Sequence, residues 1–218
     1  MKTKLLCAIC SVVLLACGKS EQGSSAPATQ AIASAPQATK PDTLKIKGLS
    51  VGMDIQGVPN AMMDILAERQ LSDFGFTDVI QLGEGIQCVL MYSKSFLRAI
   101  DSRMHERYDE VRASGKVDEE LSTACTHSDG VLTAQSGADG RVARIVFNDV
   151  SDIFDAKGVA PAEFAKKLSG EYRIPELKPN ESQTVWSATS PDGTRVELDA
   201  KEVLGIPMMR LYMSKAVP

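Results

Sequence analysis

Two stretches of this chain, Leu132-Thr-Ala-Gln-Ser136-Gly-Ala-Asp139-Gly140-Arg141-Val142 and Trp186-Ser-Ala-Thr-Ser190-Pro-Asp192-Gly193-Thr-Arg195-Val196, each set an Asp-Gly pair between strand-like runs. Asp-Gly suits turns that need a positive φ and is among the strongest short-range hairpin signals, so antiparallel pairing is called for at two separate places. The stretches also match in order: an apolar or aromatic start, a serine, the turn, then Arg-Val. A helical pattern precedes each. The second such helix begins near Ala160-Pro161-Ala162-Glu163 and carries Val159, Phe164, Leu168 and Tyr172; proline suits a first helical turn and glutamate its positive end. The expected fold is α+β, an antiparallel sheet with helices packed on one face and two divergent helix-plus-hairpin repeats. Residues 44–150 would form the first unit, expanded by a helical insertion around residues 71–130, and residues 151–218 the second.

Further elements follow from periodicity. Leu44-Lys-Ile-Lys-Gly-Leu alternates apolar and polar residues and predicts a half-buried strand. Asp54 is a candidate N-cap for a helix carrying Ile55, Val58, Met62, Ile65 and Leu66, although Pro59 draws the start towards Val58. Met53, Met62 and Met63 are read as core packing in preference to an adaptable groove. Ile86–Tyr92 predicts a strand after the turn Gly83-Glu-Gly85. An amphipathic helix is expected next, with Leu97, Ile100, Met104, Tyr108 and Val111 on one face and charged residues opposite. The segment Pro207–Ser214 predicts a last strand, Met209, Leu211 and Met213 buried and Met208, Arg210 and Tyr212 on the other side.

At the N-terminus, Met1-Lys-Thr-Lys precedes an apolar run from Leu5 to Ala16. The run is shorter than the roughly 20 residues of a spanning helix and has the layout of an export signal, residues 1–16. It closes in Leu14-Leu15-Ala16-Cys17, which resembles the lipobox of bacterial lipoproteins. The resemblance implies a diacylglyceryl thioether on Cys17, cleavage after Ala16 and acylation of the new amine, hence attachment to a membrane. Leu15 is larger than the residue usual at its position and would slow processing. Gly18 stands where an aspartate would resemble an inner-membrane retention signal, which points to the outer membrane, facing the periplasm. Residues 17–43 are then the lipidated cysteine and a linker rich in Ser, Ala, Gln, Thr and Pro, too poor in apolar residues to offset its ordering entropy.

Loss of Lys2 and Lys4 with the signal makes the mature chain more acidic than the whole-chain balance of −4, and no basic face for nucleic acid is implied. Of the five cysteines, Cys7 and Cys10 leave with the signal and Cys17 takes lipid. Cys88 and Cys125 remain, and in an oxidising compartment a disulfide between them is expected. The rival reading makes Cys125-Thr-His127 a thiol or metal cluster, but a zinc site usually draws on four ligands and the other histidine is His105. No Gly-x-Ser-x-Gly, Ser-x-x-Lys, His-Glu-x-x-His or phosphate-binding glycine loop is present, so no catalytic residue, cofactor or metal is assigned.

Recognition is the remaining role. Trp186 is either core under the second helix or, if exposed beside Arg195 or Arg210, an interface anchor; Tyr212 and Arg210 face away from the buried side of the last strand. The helix-and-strands order, with the Gly-Leu-Ser-Val-Gly-Met opening, is similar to the small α+β modules of β-lactamase-inhibitory proteins and of the small lipoprotein of outer-membrane assembly machinery. That resemblance implies helices on one sheet face, with the other face or its loops free to meet a protein. The expected function is a lipid-anchored envelope protein that binds an envelope or secreted protein as inhibitor, immunity factor or assembly accessory. A small-ligand or cell-wall-binding module is the alternative, and a hydrolase using Cys125 or His127 a further one.

Overall fold

The computed structural model describes residues 42–93, 116–203 and 206–215, with backbone alone at 116–120, 203 and 206–207. The expected helix over Leu97–Val111, with His105, lies outside the described residues, as do Cys17 and the linker up to residue 41.

The chain enters through a tight turn, not the expected strand. Lys47 and Gly48 adopt left-handed φ values of 51° and 78°, and Ile46 and Leu49 exchange backbone hydrogen bonds of 2.9 and 3.0 Å across them. Leu44, Ile46 and Leu49 are nonetheless buried, so the alternation reports burial while the lysine-glycine pair folds the backbone back. Asp54 accepts the Gln56 N–H at 2.9 Å and opens a short 3-10 turn, Ile55–Gly57, which runs into α1, Val58–Arg69. Pro59 occupies the first turn of α1, where a missing N–H breaks no helical bond. Met62 is wholly buried and Met63 is 53 % exposed, so the methionines do not line a common groove.

Strands β1 (Phe74–Phe76), β2 (Ile80–Gly83) and β3 (Ile86–Ser93) follow, then α2 (Lys116–His127), β4 (Leu132–Ser136), β5 (Val142–Phe147), the short α3 (Val150–Phe154) and α4 (Pro161–Glu171). The chain finishes with β6 (Lys178–Pro179), β7 (Val185–Thr189), β8 (Thr194–Val203) and β9 (Ile206–Lys215). All pairings between these strands are antiparallel, in the order β1-β3-β4-β5-β9-β8-β7-β6, with β2 also on β3. Helix α1 precedes β1–β3, α2 stands between β3 and β4, and α4 precedes β6–β9; the hairpin strand β5 pairs with the last strand, β9. That pairing is a seam at the middle of the sheet.

The two Asp-Gly turns are built alike. Gly140 and Gly193 take φ of 72° and 80°, each donates to the carbonyl three residues back, and Asp139 and Asp192 each accept the N–H two residues on at 3.0 Å. One face of the sheet carries the main core: Val89, Met91, Ile145, Phe147, Val196, Leu198, Leu211 and Met213 meet Met62 and Ile65 of α1, Ile153 of α3 and Phe164 and Leu168 of α4. Fully burying each such side chain stabilises by about 1.5–3 kcal/mol. Phe154 joins the layers, its ring edge-on to Phe147, Phe164 and Tyr172 at 5.2, 5.6 and 6.4 Å. Helix α2 covers part of the opposite face, because β3 is apolar on both sides: Cys88, Leu90 and Tyr92 alternate with Val89 and Met91 and pack on Leu121, Ala124 and Cys125. The Cys88–Cys125 disulfide, with Cα atoms 6.1 Å apart, fastens that helix to the sheet.

Candidate functional site

Period-two alternation divides β8 and β9 cleanly. Thr194, Val196, Leu198 and Ala200, with Met209, Leu211 and Met213, point into the core, which leaves Arg195, Glu197, Asp199 and Lys201 beside Met208, Arg210, Tyr212 and Ser214 on the outer face. Register pairs Arg195 with Ser214, Glu197 with Tyr212, Asp199 with Arg210 and Lys201 with Met208. Across the seam, Arg144 of β5 pairs with Ser214, and its guanidinium lies 5.6 Å from the Tyr212 ring centroid. A cation over an aromatic face at this distance is attracted by the ring quadrupole, by about 0.5–1 kcal/mol where exposed.

Charges on this face are unevenly satisfied. Arg195 pairs with Glu197 at 2.7 Å and Lys201 with Asp199 at 2.9 Å. Hydrogen bonding to Asp199 and its charge hold the Lys201 ammonium above the ordinary lysine value. Asp199, opposite Arg210, keeps its Oδ1 buried with no hydrogen-bond partner, and Arg144 and Arg210 have no acidic partner within salt-bridge distance among the described residues. Both are exposed, Tyr212 between them is half-buried and Met208 is 44 % exposed.

The strip continues into a cleft of about 420 Å³ at the Met208 end of the sheet, lined also by Tyr92, Ser93, Gly130, Asn148 and Arg210. Asn148 Nδ2 donates to the carbonyls of Ser128 and Gly130, the latter at 2.6 Å, while its Oδ1 is buried with no hydrogen-bond partner. Asp149, also on the cleft, is pushed above the usual carboxyl range, chiefly by burial. A second cavity, about 510 Å³, lies at the other end beside Lys45, Gly52, Asp192 and Lys215.

The sequence-derived candidates divide accordingly. Arg195, Arg210 and Tyr212 stand together on the open face. Trp186 does not: it is 6 % exposed in the main core, paired across β7–β8 with Leu198, so its anchor reading is corrected to a packing role. The small Ala188 and Ser190 beyond it on the same side of β7 are themselves covered, Ser190 fully. Cys88 and Cys125 are joined, which leaves Cys125 no free thiol for nucleophilic or metal chemistry. His127 Nδ1 lies 3.8 Å from Asp129 Oδ2, both side chains more than half exposed, and the neighbouring Ser128 hydroxyl has no hydrogen-bond partner, so no base is set on it. Among the described residues, no group of three or more His, Cys, Asp or Glu side chains is placed to hold a metal ion. Arg144 was not legible in the sequence: strict alternation would place it on the buried side with Val142, and it faces outward because the β4–β5 register shifts between the Ser136–Val142 and Gln135–Arg144 pairs, which leaves Val142 and Ile145 both in the core.

Comparison with family models, curated proteins and solved structures finds no match for this chain.

Proposed function

We propose that this chain is a lipid-anchored lipoprotein of the bacterial envelope, held through Cys17, whose domain binds another envelope or secreted protein as an inhibitor, immunity factor or assembly accessory. The observation that carries the binding half of this reading is the asymmetry of the sheet. Its inner face is closed by three helices, whereas the outer face at β5, β9 and β8 presents tyrosine, arginine and methionine, residue types enriched at interface cores. The anchor half rests on the lipobox-like Leu14-Leu15-Ala16-Cys17. Two or more acyl chains hold a protein stably at a bilayer, since each buried methylene contributes about 0.8 kcal/mol. A pull-down with the lipidated protein under mild crosslinking tests the binding: recovery of one stoichiometric protein partner is expected, and repeated recovery of none sinks the reading.

The cleft beside Asn148 supports a second reading, a small ligand or cell-wall fragment held at the end of the sheet. Thermal-shift screening with glycan fragments separates the two, because a ligand at a hundredfold its Kd stabilises by about 2.7 kcal/mol.

A further inference from the structure

The open face also specifies what would dock on it. Four cations and two carboxylates project from it in register, and two of the cations, Arg195 and Lys201, neutralise the carboxylates. The remaining pair, Arg144 and Arg210, flank Tyr212 across the seam, on a chain that is acidic as a whole. We infer that an acidic surface of a second protein docks on this seam, its carboxylates engaging Arg144 and Arg210 while Tyr212 and Met208 supply the apolar contact. This inference rests on the protein-binding reading above and narrows it to a face and a charge.

Guanidinium forks suit carboxylates because they donate two parallel hydrogen bonds, and an arginine already stacked on an aromatic ring loses less freedom when it binds. An anionic bilayer is the poorer fit. It would meet Glu197 and Asp199 as well as the arginines, whereas a protein surface can set its acids opposite Arg144 and Arg210 alone. Electrostatic complementarity of this kind acts chiefly on encounter rate and partner choice.

The test uses the full lipidated protein in its own membranes, with a photo-crosslinking amino acid placed in turn at Ser214, at Glu197 and, on the helix side, at Lys166. Adducts to one protein are expected from Ser214 and Glu197 and not from Lys166. The R144E/R210E double variant should lower their yield at least about tenfold, since like charges across an interface cost several kcal/mol. Reversing the crosslinked acid on the partner should restore it. R144K/R210K keeps both charges and should retain most of the adduct, which guards against misfolding of the glutamate variant; persistence of the Cys88–Cys125 disulfide and an unchanged melting temperature are the further checks. Adducts indifferent to arginine reversal, or formed with a second copy of this chain or with lipid, overturn the proposal. Adducts from Lys166 alone overturn it while leaving the protein-binding reading intact, and none from any position removes both.

Discussion

At the residue scale, two positions that touch no partner set the geometry of the site. Gly130 lies under β3: a Cβ there would collide with the Leu90 side chain and come within 2.7 Å of the Met91 carbonyl oxygen. Gly130→Ala is expected to cost about 1–3 kcal/mol, as overpacking does, and to lower the melting temperature measured by circular dichroism. Asp192 is the second. Burial by itself would raise its pKa, but hydrogen bonds from the Ser190 hydroxyl, the Leu44 N–H at 2.8 Å and the Thr194 N–H and hydroxyl prevail and hold the carboxyl below its ordinary value. A depressed folded pKa means that the unfolded chain protonates first as pH falls. The stability Asp192 contributes is therefore present above about pH 4 and is lost below it, through the folded value. Asp192→Asn should cost about 1–2 kcal/mol near neutrality, with the gap to the parent closing in acid, and denaturation midpoints across that window check it. The turn role of Asp192 was legible in Asp-Gly, whereas its hold on Leu44, 148 residues away, depended on the fold.

At the element scale, helix α2 and the seam show where local sequence stops being sufficient. The hairpins β4–β5 and β7–β8 were legible because an Asp-Gly turn and its flanking alternation are local signals. The β5–β9 pairing was not, because nothing within either strand chooses its neighbour; joining the outer strands of the β4–β5 and β8–β9 hairpins leaves fewer unpaired backbone groups at edges. Placement of α2 on the far face was half legible. The unbroken apolar run from Cys88 to Tyr92 has the look of a strand covered on both sides, and Cys88 and Cys125 fix what covers it. Trp186 was ambiguous for a related reason: alternation assigns a side chain to a face but does not say which face is covered. With the cysteines 37 positions apart in sequence, the chain-entropy model gives the crosslink a stabilisation of roughly 4 kcal/mol. Replacing both with alanine should lower stability by an amount of that order, and hydrogen exchange should rise in α2 and β3 before it rises in β8 and β9. Phe154 makes the complementary case on the inner face. Phe154→Ala removes three edge-on ring contacts that join β5, α3 and α4, and should cost about 3–5 kcal/mol in chemical denaturation.

At the scale of the whole molecule, the outer face runs the length of β8, with Arg144, Arg195 and Ser214 near the end where the chain enters and Arg210 and Met208 toward the other. Leu44 is fastened to Asp192 in the turn that begins β8, and Lys201, near the end of β8, pairs with Met208 at the mouth of the cleft. The ten residues of β8 span about 33 Å, so Met208 and the cleft lie far from Leu44 while Arg144 lies near its end of the sheet. On the anchored reading, lipidation of Cys17 raises the local concentration of the domain for a membrane-bound partner. Exchanging residues 1–17 for a cleavable signal without the lipobox-like sequence should move the domain into the soluble periplasmic fraction with an unchanged melting temperature. Its crosslinking from Ser214 should fall at native expression and recover when the domain is overproduced, because only local concentration has been removed. Mass spectrometry of the parent provides the control: a mature chain starting at Cys17 and heavier by a diacylglyceryl group and an amide-linked acyl chain is expected. A Cys17 without lipid, or a soluble form that crosslinks as well as the parent at native expression, would remove the anchor from any part in binding.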